Sequence, residues 1–164
     1  MDVTAPLLRR LDPGVVVGAL TFFVAIAVDL YTKAFAVSSL DPHLIYYNHS
    51  NPSEYVRRIV MSLVAIGATY GLDRGARHLG IGRLWGAWIG AGMLTGGVLG
   101  NGVSRLIWAR GVPDFLFVGR DIWNVADFEI GIGLAGGIAS IAITALFAFA
   151  RERLCSPPEP APKD

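Results

Sequence analysis

The chain has 164 residues, of which 53% are hydrophobic and 16% are charged, and its net charge is +1. It is too apolar for an ordinary soluble domain, so its composition favours a membrane protein. A net charge near zero offers no basic surface, and no nucleic-acid partner is expected. One cysteine and three scattered histidines cannot form an internal disulfide or a structural zinc cluster, and no metal site is expected.

Four apolar segments are candidates for transmembrane helices: residues 14–37, 58–72, 84–107 and 127–150. A helix crosses a hydrocarbon core of about 30 Å with about 20 residues. The second segment is the shortest, and Arg58 at its start must reach the interface. We therefore predict an all-α membrane protein with four transmembrane helices.

The basic residues predict the orientation, because arginines near helix ends stay on the cytoplasmic side. They precede the first segment, fill the connection between the second and third, and follow the fourth (Arg9, Arg10, Arg74, Arg77, Arg83, Arg151 and Arg153). Both termini are predicted to be cytoplasmic, with outer loops at 38–55 and 108–126. Five arginines on the outer side oppose this assignment: Arg57, Arg58, Arg105, Arg110 and Arg120.

The predicted domain organisation is a four-helix membrane domain at 1–153 and a disordered cytoplasmic tail at 154–164. The tail is rich in proline and charge and has little to bury.

Ionisable groups at membrane depth are costly, and each needs a partner or a function. Asp29 and Lys33 lie four residues apart on one helical face, either as a structural ion pair or as part of a site. Asn101 and Arg105 also share a face and bring donors for a carbonyl, a carboxylate or a lipid phosphate. Helix packing followed by an interfacial arginine is the alternative for that second pair.

Asp114 lies in an apolar outer loop, and Asp127 opens the fourth segment. Two carboxyl groups brought together in an apolar site share one proton, so that one acts as a general base and the other as an acid. This is the apparatus of an aspartic protease. A turn role for Asp114 and a helix N-cap role for Asp127 are the alternatives.

Four motifs, taken together and in order, resemble the lipoprotein signal peptidase (signal peptidase II) family. The family has Asp-x-x-x-Lys in its first helix, Gly-Gly-x-x-Gly-Asn-x-x-Asp-Arg in its third, then Val-x-Asp-Phe and Asn-x-Ala-Asp. The corresponding residues here are Asp29 to Lys33, Gly96 to Arg105, Val112 to Phe115, and Asn124 to Asp127. The match extends over nearly the whole chain.

The resemblance implies an aspartyl endopeptidase of the bacterial inner membrane that removes signal peptides from diacylglyceryl-modified prolipoproteins, without metal or cofactor. It implies a catalytic pair, Asp114 and Asp127, and a site lined or supported by Asn48, Asn101, Arg105, Asn124, Asp29 and Lys33. It also implies a small extracytoplasmic β platform in the first outer loop, with residues 44–47 as a strand. The expected partners are a lipid-modified prolipoprotein and membrane lipids, and a monomer is expected.

The chain departs from the family pattern, and it resembles a divergent member. Ser104 stands where the family has an acid, and in the altered first outer loop only Asn48 carries over. We therefore expect Arg105 to find another anionic partner, such as Asp114, Asp127 or a lipid phosphate. A catalytically weak homologue that binds lipid or lipopeptide is the alternative function. A small channel is a third, which draws only on the charges of Asp29 and Lys33.

Overall fold

The structure is a computed structural model, and it describes residues 11–49 and 51–155. It is mostly helical, with four long helices: α1 (Pro13–Ser39), α2 (Pro52–His78), α3 (Trp85–Ile107) and α4 (Val125–Cys155). Arg9 and Arg10, which entered the predicted orientation, lie outside the described residues, as does the predicted tail from residue 156 onward.

Each of the four predicted segments lies mainly within one helix, but both boundaries of the second segment and the last boundary of the fourth were wrong. Helix α2 begins at Pro52 and not near Arg58, because the Asn51 side chain accepts a hydrogen bond from the Ser53 N–H and proline suits the first helical position. Helix α4 continues to Cys155, so the first two residues of the predicted tail are helical.

Two helices, α1 and α4, are long and apolar enough to cross a membrane. Helix α2 carries several charged residues, which lower its mean hydropathy, and α3 is rich in glycine. Four spans therefore stay a prediction.

Large apolar side chains lie on the surface of the helices, and several charged side chains lie in the interior. Phe23 on α1 and Phe147 on α4 are 66% and 71% exposed, whereas Asp29 and Lys33 are fully buried. Large exposed apolar side chains are stable in a hydrocarbon environment and costly in water. This distribution agrees with helices that lie in lipid.

Helix α3 is the centre of the bundle and packs against the other three helices. Its glycines allow backbone contact on two sides. A Cβ atom at Gly92 would lie 2.4 Å from the Gly18 carbonyl oxygen of α1, and a Cβ at Gly90 would lie 2.4 Å from the Gly133 carbonyl oxygen of α4. Small residues thus bring α1 and α4 close to opposite sides of α3.

Two small antiparallel sheets lie at one end of the bundle, which we call the sheet end. Strand β1 (Tyr46–Asn48), which follows a 3-10 turn at Pro42–Leu44, pairs with β2 (Val112–Asp114). Strands β3 (Leu116–Val118) and β4 (Asp121–Trp123) form a hairpin. The predicted strand at 44–47 is shifted, because Asp41 accepts a hydrogen bond from the His43 N–H and starts the 3-10 turn. The predicted β platform is therefore not formed by the first outer loop alone, because its partner strand β2 lies in the connection between α3 and α4.

A charged cluster closes the opposite end. The buried Asp73 of α2 accepts a hydrogen bond from the Leu84 N–H at the start of α3, at 2.8 Å. Its other oxygen lies 3.1 Å from Nε of Arg77, whose Nη2 lies 3.0 Å from Asp12. Asp12 also pairs with Arg83 and caps α1 by accepting from the Gly14 N–H. This cluster joins α1, α2 and α3.

Replacing Asp73 by alanine should lower the unfolding free energy by about 1–3 kcal/mol, because a buried N–H and an arginine each lose an acceptor. Asp73→Asn, which keeps one oxygen for Leu84, should lose less. The measurement is thermal unfolding in detergent, with Asp121→Ala as the control because Asp121 is exposed. Equal melting temperatures for Asp73→Ala and the control would show that the cluster contributes nothing.

Candidate active site

Lys33 is the centre of a buried polar network at the sheet end of α1. Its ammonium donates to Asp29 Oδ2 at 2.8 Å, to Asn101 Oδ1 at 2.6 Å and to Ser104 Oγ at 3.1 Å. An ammonium has three N–H donors, so all of them have acceptors. A lysine with no exposed surface is stable only with such compensation.

Asp29 connects this network to α4. Its second oxygen, Oδ1, accepts from the Ala126 N–H at 3.1 Å. The first N–H groups of a helix have no partner within it, and a carboxylate is a good acceptor for one of them. Asp29 thus binds the start of α4 to α1.

Asn101 connects Lys33 to Asp127, one of the two predicted catalytic residues. Because its oxygen faces the ammonium, its amide N–H donates to Asp127 Oδ1, at 3.3 Å. The other Asp127 oxygen accepts from the backbone N–H of Asn124 at 3.0 Å. Asp127 therefore has one N–H donor on each oxygen.

Asn124 connects Asp127 to Asp114. Its side-chain amide donates to Asp114 Oδ1 at 2.5 Å, and its backbone N–H holds Asp127. Asn48 on β1 also forms a side-chain hydrogen bond to Asp114. One chain of hydrogen bonds therefore leads from Lys33 through Asn101, Asp127 and Asn124 to Asp114.

The two carboxyl groups have different surroundings. Asp114 is 1% exposed, and this burial raises its pKa above the ordinary value for aspartate. Hydrogen bonds from Asn124 and Asn48 oppose the shift, whereas the nearby charge of Asp127 adds to it. Asp127 is only half-buried. The burial of Asp114 thus makes it harder to ionise than an aspartate in water.

Both carboxyl groups line one cavity of about 700 Å³ at the sheet end. Its wall comes from β1, the β3–β4 hairpin and the starts of α2 and α4, and includes Tyr46, Asn48, Arg58, Arg120 and Trp123. A smaller cavity shares Asn48, Arg58 and Asp127 with it and extends to Asn101 and Arg105. The two cavities have these three residues in common, and we call them together the dyad groove.

Seven of the eight predicted site residues belong to the hydrogen-bonded network, and the eighth, Arg105, lines the smaller cavity. The expected ion pair of Arg105 with Asp114 or Asp127 was wrong: no such pair forms in the described part of the chain. Amide N–H groups already occupy these carboxylates. Ser104, which is fully buried, contacts Lys33 and donates to the Gly100 carbonyl oxygen at 2.7 Å.

Two features of the site were not predicted from the sequence. Glu129 is 7% exposed, and its Oε2 atom has no hydrogen-bond partner among the described residues. An acid two residues after Asp127 in an apolar helix was the available signal. The second feature is the β3–β4 hairpin, whose turn contains Gly119 at a φ of 64°. A glycine between two short apolar runs was the signal for that hairpin.

No group of three metal-binding side chains converges within residues 11–49 and 51–155. Comparisons of the chain with protein-family models, curated proteins and solved structures found no match. We therefore infer the function from the geometry of the site and from its sequence motifs.

Gly100 tests how tightly this network is packed. A Cβ atom there would lie 2.6 Å from Asp29 Oδ2, so Gly100→Ala should displace the carboxylate that holds Lys33 and α4. We expect a loss of about 1–3 kcal/mol in unfolding free energy. Gly131→Ala is the matched control, because a Cβ there meets nothing within 4 Å and alanine favours a helix. Thermal unfolding of both variants decides it, and equal stability would contradict the assigned packing.

Proposed function

We propose that this chain is an aspartyl endopeptidase of the bacterial cytoplasmic membrane that cuts the signal peptide from diacylglyceryl-modified prolipoproteins. The observation that supports this most directly is the arrangement of Asp114 and Asp127. They are joined through Asn124 and line the same cavity. The lipoprotein substrate class is inferred from the four motifs that resemble signal peptidase II.

The different surroundings of the two carboxyl groups suggest their roles. Asp127 accepts an N–H on each oxygen and is partly open to the groove, which suits the general base. Asp114 is buried, and this burial raises its pKa, which suits the general acid. In the proposed mechanism the pair carries one proton, as an acid–base dyad requires.

The proposed reaction needs only water and the peptide. Asp127 takes a proton from a water whose oxygen attacks the carbonyl carbon, while Asp114 gives its proton to the carbonyl oxygen. In the resulting tetrahedral diol the carbon–nitrogen bond then breaks. The amine receives the proton from Asp127, and the hydroxyl that Asp114 protonated returns its proton to Asp114 as the carboxyl product forms. The dyad ends with one proton, as it began.

The remaining network has a positioning role. Lys33 orients the Asn101 amide, and Asn101 in turn donates to Asp127. The position of the base on α4 is therefore set by side chains on α1 and α3.

Replacing either dyad member by asparagine should reduce cleavage at least about 100-fold, because an amide cannot take up and release the proton. The assay uses purified protein in detergent with a diacylglyceryl-modified prolipoprotein. Asp121→Asn is the matched control, since Asp121 lines the same cavity but is not in the network. Near-parental cleavage by Asp127→Asn would overturn the dyad. Binding of the substrate by the parent without any cleavage would favour the lipopeptide-binding alternative.

The rate should also depend on pH through Asp114. Because the general acid must be protonated, cleavage should fall as pH rises through the raised pKa of Asp114. The Asn124 side chain lowers this pKa, so Asn124→Ala should move the alkaline limb of kcat/KM to higher pH. The hydrogen bond from the Asn124 backbone to Asp127 is kept in this variant. An unmoved limb, or a shift to lower pH, would refute the role of Asp114.

A further inference from the structure

Five arginines lie at or near the sheet end, against the charge rule that predicted the orientation. Three of them have partners within the protein. Arg57 and Arg58 lie 3.8 Å and 2.8 Å from Glu54, and Arg110 stacks 4.5 Å from the centre of the Tyr47 ring. These contacts account for their positions without an external ligand.

The other two, Arg105 and Arg120, form no ion pair, hydrogen bond or ring contact with any residue that the structure describes. Arg120 lines the larger cavity of the dyad groove, and Arg105 lines the smaller one. Arg105 belongs to the motif already assigned to the site. Arg120 belongs to no motif, and its guanidinium is available to a ligand.

Arg120 lies in the turn of the β3–β4 hairpin, directly after Gly119, and it lines the cavity that contains Asp114 and Asp127. Asp121, its neighbour in sequence, lines the same cavity but does not come within ion-pair distance of Arg120. A guanidinium beside a reaction site is suited to bind a carboxylate through two parallel hydrogen bonds.

We propose that Arg120 forms an anion-binding subsite that binds an acidic side chain of the substrate, in the segment just after the lipid-modified cysteine. This inference rests on the proposed function. The lipid stays in the apolar surroundings of the helices, so the chain after the cut leaves the dyad toward the sheet end, where the hairpin lies. Because Arg120 faces the cavity shared with the dyad, a peptide carboxylate is favoured over a headgroup in the surrounding membrane.

The experiment compares two diacylglyceryl-modified peptides that differ only in Asp or Asn at the second residue after the cysteine. With the full chain in neutral detergent, we expect kcat/KM to be about tenfold higher for the acidic peptide. In Arg120→Gln the ratio should fall to about one, and in Arg120→Glu a lysine-containing peptide should become the better substrate. Arg110→Gln is the matched control and should keep the parental preference, since Arg110 is stacked on Tyr47.

Equal rates for the two peptides with the parent, or a preference that survives Arg120→Gln, would overturn the subsite. An added arm supplies phosphatidylglycerol with the neutral peptide. If this lipid stimulates cleavage through Arg120 while the acidic peptide has no advantage, the subsite binds a headgroup and the peptide proposal is wrong.

A binding measurement separates this inference from the proposed function. If neither peptide is cleaved, affinity for the same two peptides is measured with the parent and Arg120→Gln. An Arg120-dependent preference of about tenfold would support the subsite while the peptidase proposal fails. Equal affinities would overturn the subsite as well.

Discussion

The buried ammonium of Lys33 is the contact on which the sheet end of the bundle depends. A lysine without exposed surface needs an acceptor for each N–H, and this one takes them from α1 and α3. Its carboxylate partner, Asp29, binds the first turn of α4. The same cation orients the Asn101 amide toward Asp127. Three helices and the proposed base are thus positioned by one charge.

The helices could be predicted from the sequence because the length of an apolar run is a local property of the sequence. Each apolar segment corresponds mainly to one helix. Their ends depend on single side chains, such as Asn51, whose cap starts α2 before the apolar run begins. The sheet could be predicted only in part. Tyr46 pairs with Asp114 across two helices, and no local pattern contains a contact between such distant residues.

The helical spacing of four predicted the face that Asp29 and Lys33 share, because that spacing is geometric. The spacing could not predict the partners of Arg105, since these depend on which donors hydrogen-bond to the Asp114 and Asp127 carboxylates in the folded chain. Amide groups from Asn101 and Asn124 do so, and the residue beside the arginine, Ser104, faces the buried lysine instead. Competition among donors is a property of the packed structure.

The two dyad members are held by different kinds of element. Asp127 lies in the first turn of a long helix that is tied to α1 through Asp29, whereas Asp114 ends a three-residue strand in a two-stranded sheet. A two-stranded sheet has little stability of its own, but every residue of β2 is buried and the strand packs against α1 and α3. Burial and the Asn124 side chain therefore hold Asp114, as the buried network holds Asp127. In the proposed reaction the acid and the base are thus both positioned by the packed structure before a peptide enters the cavity.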